Sequence, residues 1–566
     1  MKRIDPKKLD RAFVLPGTLM FADIIVRLEA SPEIPATRRR DLISGLRRVS
    51  KALGRAPEEV PADPKWLQPR LAKVMPAALR LSEKGWQNAR SDARSALAWA
   101  GIVKARHRHI DDLAPDWRVL WARVLASKDP TLPLALCRFT HFLNGLAVAP
   151  EDVAQPHAEA YLAALEADEI SKSPQTAWRA AVNAWNLAGT RIAGWPTTRL
   201  VLPRRQVVYK RADADLPPAL LDDLANLLRR LAQPDPFAED GPTRALRPQT
   251  LGQYERQLKR FASELLEAGV PAMEIDEVAT LCDPARAERG LRAMVARKGN
   301  TSGKLIAETA ALLRNLAGKL GLGDDVRSRL AKLAGRVAVP PQRGMTGKNR
   351  QRLRVLQDER TLRRLLDLPE RLFTAAGKQT TPYAAGLMRE EALAIGILLT
   401  CPIRVGNLAG LHLEHHLHRP GDGRVFVALF EDEVKNERPI EFEVPDALRR
   451  MLDRHLARRC PLMCPQGTPW LFPRRDGAGP MDANQLSMRM RRRIRKEIGV
   501  EMNAHLFRHL AAMIWLDAFP GGYEGARRLL GHSEVSHTIN MYTGLEAKKA
   551  LEVFSNLLTE KRGRRR

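Results

Sequence analysis

Between Asn503 and Tyr542 the chain gathers the side chains that phosphoryl transfer needs. His505 and Arg508 form an H-x-x-R pair, Gly531-His532 follows two leucines, and Tyr542 lies ten residues past His532. A phosphodiester resists attack until a nucleophile, cations on its non-bridging oxygens and an acid for the leaving oxygen converge on it. Tyrosine can be that nucleophile where cations favour its phenolate, its free pKa being about 10. Arginine keeps its charge and grips two phosphate oxygens at once. Histidine donates a hydrogen bond or moves a proton near neutral pH.

Composition supports a nucleic-acid partner. Lys+Arg number 93 against Asp+Glu 65, a net charge of +28 on a chain that is 44% hydrophobic. Such a chain folds and carries a surplus that a polyanion would neutralise. Five cysteines, an odd number over 566 residues, make no disulfide framework. Cys460 and Cys464, with His455 before them, supply too few ligands for zinc. Glu414, His415, His416 and His418 lack the H-E-x-x-H order of a metal helix. Neither a metal nor another cofactor is expected. No apolar run is long enough to span a bilayer, and MKRIDPKKLDRAF precedes no apolar signal segment, so a reducing cytoplasm is expected and a membrane partner is not.

The elements that must position the site read as mainly α with a small antiparallel β-sheet. Amphipathic helical pattern dominates up to about residue 335. Three stretches of similar style, 37–101, 132–189 and 250–318, end at Gly101, Gly189 and Gly318, each at a plausible helix-terminating position. The spacing predicts helical units over 1–115 and 116–205, a linker with one helix over 206–248, and a helical domain over 249–335. A basic connection over 336–357, carrying Lys348, Arg350, Arg352 and Arg354, reads as extended. A domain over 358–557 follows, and then a basic tail, 558–566. Within that domain Arg424 to Phe430 and Pro439 to Val444 alternate like two strands. Arg489, Arg492 and Arg493 crowd one helical segment and are expected to face phosphate.

The ordered set His505, Arg508, Gly531-His532 and Tyr542 resembles the second half of a tyrosine recombinase active site, that of the phage-type integrases. The resemblance covers about 200 C-terminal residues and implies a further arginine and lysine upstream. LLTCPIRVGNLAG supplies Arg404, with Cys401-Pro402 where the family has a glycine turn and Asn407 where glutamate is common. EDEVKNERPIEF supplies Lys435 between the two strands. By this resemblance Arg404 and Arg508 clamp the scissile phosphate, Lys435 protonates the leaving 5′ oxygen, His505 assists proton transfer, His532 hydrogen-bonds the phosphate and Tyr542 attacks. His509 reads as a packing residue of its helix. Tyr523 precedes Gly531-His532, the wrong order for a nucleophile.

The resemblance implies a site-specific DNA recombinase, integrase-like, working through a 3′-phosphotyrosyl intermediate without metal or ATP. Its partners would be double-stranded DNA, further copies of itself in a tetramer on that DNA, and partner recombinases or accessory DNA-bending proteins. The 249–335 region would be a core-binding domain, and the helical region before it would complete a clamp on DNA. Residues 544–558 would form a last helix that docks on a neighbouring protomer. A bacterial cytoplasm, on the nucleoid, is the implied location. Two other readings share parts of this pattern: a type IB topoisomerase, and an architectural DNA-binding protein that keeps the fold without strand exchange.

Overall fold

A computed structural model describes residues 14–106, 109–170, 173–203, 210–234, 245–340, 344–434, 437–464, 467–542 and 547–563. Two compact units make up the chain: Met1–Leu202 together with Arg343–Arg566, and Pro203–Gln342. The architecture is mainly helical, with one small antiparallel sheet.

The first unit begins with two helical bundles. In the first, α1 (Phe21–Glu29), α2 (Ala36–Ala52), α3 (Pro64–Leu71) and α4 (Glu83–Trp99) close over Phe21, Leu46, Trp66 and Trp86. Gly45 lets α2 and α4 touch, since a Cβ there would lie 2.7 Å from Asp92 Cβ. In the second, α5 (Pro115–Ala126), α6 (Leu132–Gly145), α7 (Gln155–Asp168) and α8 (Pro174–Arg191) bury Trp117, Phe139 and Trp185. Glu169 ties the two together. It is 2% exposed and accepts from Arg106 and from Arg138, each at 2.5 Å.

The second unit holds α9 (Pro218–Ala232), α10 (Pro248–Glu267), α11 (Val278–Leu281), α12 (Pro284–Arg297), α13 (Lys304–Lys319) and α14 (Asp324–Val337). Here the structure differs from the sequence expectation. The helix assigned to a linker, α9, presents Leu220, Leu224, Leu227 and Leu231 at helical spacing and buries them in the same core as Phe261 and Leu313. Of the three glycines expected to end helices, only Gly101 takes a left-handed φ; Gly189 lies inside α8 and Gly318 inside α13.

The rest of the first unit is the domain that carries the site. The stretch 347–356, expected to be extended, is α15 (Gly347–Leu356). Thr346 caps it, and Leu353 and Leu356 anchor it in the core. Next come α16 (Glu359–Leu366), α17 (Leu368–Ala376), the nearly all-round apolar α18 (Pro382–Thr400), and α19 (Val405–Ala409). Strand β1 (Leu417–His418) pairs with β2 (Phe426–Leu429), which pairs with β3 (Ile440–Glu443), both antiparallel, with Val427 opposite Phe442. Strands β2 and β3 fall where alternation predicts them; β1 is too short to show a period. The last helices are α20 (Asp446–Leu456), α21 (Ala483–Ile498), α22 (Ala504–Ala518), α23 (Tyr523–Leu530), α24 (Val535–Tyr542) and α25 (Ala547–Gly563). The basic tail thus begins inside α25, and 564–566 lie outside the described residues.

One contact seats the first bundle on this domain beside the site. Gly499 ends α21 with φ +83°, and a Cβ there would lie 2.4 Å from Ala78 N. Arg364 donates to the Ala77 carbonyl at 3.2 Å and to the Glu497 carbonyl at 2.8 Å. Four residues separate Gly499 from α22, the helix of His505 and Arg508. Replacing Gly499 by alanine adds left-handed strain and a clash, at a cost of about 1–3 kcal/mol. The urea midpoint should fall accordingly; an unchanged midpoint would mean that the seat is not formed.

Candidate active site

Arg508 is the centre of the site. It is 4% exposed. One Nη donates to the Pro402 carbonyl at 2.6 Å and the other to the Leu530 carbonyl at 2.5 Å. Three segments distant in sequence are thereby drawn together: α22, the turn before Arg404, and the end of α23 before Gly531-His532. Burial lowers the Arg508 pKa to about 10, with Arg404 adding to the effect and Tyr542 opposing it. The group stays charged at neutral pH.

Arg404 stands at the N-cap of α19 and is half-buried, and burial lowers its pKa. Cys401 is buried, and Pro402 supplies the carbonyl that Arg508 needs. His505 lies in the first turn of α22, which Asn503 caps by accepting from the Leu506 N–H at 3.0 Å. The residue is exposed, though protein packs around part of it. Burial is the first cause of its lowered pKa, followed by Arg508 and Arg404.

His532 follows Gly531, whose φ of +59° ends α23 and whose missing Cβ leaves room for Ile440 of β3. Its Nδ1 lies 2.9 Å from Thr538 Oγ1, a fully buried hydroxyl. Burial, then Arg508, His537, Arg404 and His505, push its pKa down to about 4. Tyr542, the last residue of α24, is 2% exposed. Its ring lies parallel to that of His532 with centroids 6.4 Å apart, and its hydroxyl is 3.1 Å from His509 Nδ1. Burial pushes the phenol up to about 12, against the pull of Arg508.

The structure therefore assembles Arg404, His505, Arg508, His532 and Tyr542 into one cluster. Lys435 lies outside the described residues. The start of its connection is held by three contacts. Asn407 donates to the Glu433 carbonyl at 3.1 Å, the Phe430 N–H donates to the Glu433 carboxylate at 3.0 Å, and His416 Nε2 meets that carboxylate at 2.8 Å. His416 Nδ1 accepts from the His412 N–H at 2.8 Å, so its proton is on Nε2 and both ring nitrogens are engaged. Among the described residues no group of histidine, cysteine and carboxylate side chains is arranged to hold a metal. Two contributors were not legible as such: Asn407, which holds the hairpin, and His509, which meets the Tyr542 hydroxyl instead of only packing its helix. The one signal for His509 is its place one turn after His505, on the same helix face.

Residues 368–549 match the model of the Phage integrase family. Over that stretch the chain is similar to the phage integrases. No curated protein matches the chain. Among solved structures, the chain is similar to the XerH site-specific recombinase bound to difH substrate in a pre-cleavage complex, at 12% identity and TM-score 0.37, over 60% of this chain and 98% of that one. It is also similar to the XerA recombinase, at 15% identity and TM-score 0.25, over 58% of this chain and 98% of that one. Among the described residues no helix is long and apolar enough to cross a membrane.

The basic residues of the domain that carries the site divide into two sets. Arg489 pairs with Glu390 at 2.8 Å and Arg493 with Glu391 at 2.6 Å, and both carboxylates are almost fully buried. In this structure these two arginines, expected to face phosphate, serve as internal counter-ions. Buried carboxylates would otherwise lack compensation. Arg492 on the same helix is exposed, as are Lys348, Arg350 and Arg354 on α15, while Arg352 is half-buried.

Two outcomes follow. Arg489→Ala leaves a buried carboxylate short of its partner and should cost about 3–5 kcal/mol of stability by denaturant titration. Loss of nucleic-acid affinity with unchanged stability would contradict this. The pKa values of about 4 for His532 and about 3 for His509 lie below the unfolded value of about 6.5. On acidification from about pH 6.5 towards about pH 4 the unfolded chain therefore binds more protons than the native one. Stability should fall across that window, and a flat denaturant midpoint there would contradict these burials.

Proposed function

We propose that the chain is a site-specific DNA recombinase of the tyrosine class, an integrase-like enzyme that cuts and rejoins duplex DNA through a 3′-phosphotyrosyl link. The observation that carries this reading is the convergence of Arg404, Arg508, His505 and His532 around the hydroxyl-bearing ring of Tyr542. Arg404 and Arg508 clamp the scissile phosphate, and their charge stabilises the oxyanions of the transition state. His532, neutral near pH 7, donates to a non-bridging oxygen, and His505, on the open side, assists proton transfer to and from the phosphate. Tyr542 attacks phosphorus, and the leaving 5′ oxygen takes its proton from Lys435. The link conserves the energy of the broken bond, so rejoining requires neither ATP nor metal.

Duplex DNA is the proposed substrate. Lys348, Arg350, Arg354 and Arg492, all exposed, are proposed to contact its phosphates, with Arg352 beside them. Strand exchange needs several protomers, and α25 offers a means of joining them. Leu551, Phe554 and Leu557 on this helix are 68%, 57% and 50% exposed. Apolar side chains at helical spacing on an uncovered helix fit the groove of another copy. A tetramer on DNA, with partner recombinases or accessory DNA-bending proteins, is proposed on this basis.

Tyr542→Phe should abolish strand exchange and leave duplex binding within about twofold, because a single hydroxyl adds little to a salt-dependent interface. Arg404→Ala and Arg508→Ala should each remove roughly 3 kcal/mol of transition-state stabilisation. Normal exchange by Tyr542→Phe would sink the assignment. Supercoil relaxation without exchange by the unaltered chain would favour a topoisomerase.

A further inference from the structure

We propose that His509 is the base that takes the phenolic proton of Tyr542 as the phosphotyrosyl bond forms. This role rests on the strand-transfer reading above and deepens it by naming a group outside the expected set. Among the described residues, no other side chain hydrogen-bonds the Tyr542 hydroxyl; His509 Nδ1 does so at 3.1 Å. The two rings meet edge to face, with centroids 5.5 Å apart. His505 and His509 share one face of α22 with ring centroids 4.7 Å apart. Their surroundings differ: His505 is exposed, whereas His509 is 3% exposed and lies against the Tyr542 hydroxyl.

The surroundings also set its protonation. The titratable groups facing His509 are His505 and Arg508 from its own helix, His532 from the turn after α23, and Tyr542 from α24. Burial leads, and His505, Arg508 and His532 add to it, in holding the imidazole at about 3. It is neutral near pH 7, with its Nδ1 lone pair available to the phenol. A phosphodiester anion seated among Arg404, Arg508, His505 and His532 offsets the positive charge that depresses His509. The proton affinity of His509 therefore rises as substrate arrives, and the phenol is activated only when there is a phosphate to attack.

The step balances. The Tyr542 Oη–P bond forms, the P–O5′ bond breaks, the phenolic proton moves to His509 Nδ1, and O5′ takes a proton from Lys435. In rejoining, the 5′ hydroxyl returns its proton to Lys435 as its oxygen attacks phosphorus, the Tyr542 Oη–P bond breaks, and the departing phenolate recovers its proton from His509.

The test measures single-turnover adduct formation on nicked duplexes tiled across the DNA that flanks the chain's own coding sequence. Each is made with oxygen or with sulfur at the leaving 5′ position. Sulfur leaves without an acid, so it should relieve Lys435→Ala but not His509→Asn. His509→Asn, which keeps an acceptor but no base, should form the Tyr542 adduct about a hundredfold more slowly with either leaving atom, at unchanged duplex affinity. Its rate should climb with pH where the unaltered chain levels off. Unaltered rates, or rescue by sulfur, would overturn the role of His509 alone. Failure of the unaltered chain to form any Tyr542 adduct would overturn the strand-transfer reading and this role with it. A DNA-free measurement guards against a misfolded variant. In nitrogen NMR of the full chain, Tyr542→Phe should shift the His509 Nδ1 resonance, and an unmoved resonance would overturn the contact itself.

Discussion

The buried guanidinium of Arg508 is the interaction on which the rest of the site depends. Burying a cation is costly unless its donors are used. Here two of them go to backbone carbonyls, Pro402 and Leu530, that end two other segments. A single side chain thereby fixes the relative position of α22, the Arg404 turn and the Gly531-His532 turn. The remaining donors of its fork are the ones proposed above to meet a phosphate. Lysine would keep the charge and lose this geometry, because its compact ammonium cannot bridge two carbonyls in one plane while still facing a third acceptor.

The surrounding architecture serves that arrangement. The apolar α18 and the cores beneath α21 and α22 make a rigid floor, and the buried pairs of Glu390 and Glu391 with Arg489 and Arg493 fix α21 to α18. Small residues place the turns: Gly531 allows β3 to approach the His532 turn, and Gly499 allows the first helical bundle to rest beside the start of α22. Asn407 and His416 both hold Glu433, two residues before Lys435 in sequence. Asn407, in the place where the resembled pattern has a glutamate, thus keeps a positioning task but directs it to a backbone carbonyl.

Much of this was legible in the sequence because the chemistry restricts which residue types can serve. H-x-x-R, Gly-His and a later tyrosine named residues that the fold brings together, and alternation marked β2 and β3. What escaped has physical causes. The helix α9 sits among prolines and charges, and its four leucines alone could not say which core they join. The basic run in α15 conceals Leu353 and Leu356, whose burial decides its conformation. Arg489 and Arg493 look like a solvated basic face because their partners, Glu390 and Glu391, lie about a hundred residues earlier. His509 looked like packing because its contact with Tyr542 spans 33 residues and two turns.

The central claim is that Tyr542 becomes covalently joined to DNA. The direct measurement is peptide mapping of the full chain after incubation, in EDTA, with nicked duplexes tiled across the DNA flanking its own coding sequence, followed by denaturation and digestion. The account predicts a nucleotide remnant on the peptide carrying Tyr542, formed without any divalent metal. A remnant on another residue such as Tyr523, an adduct that requires metal, or bound duplex with no adduct at all would contradict it.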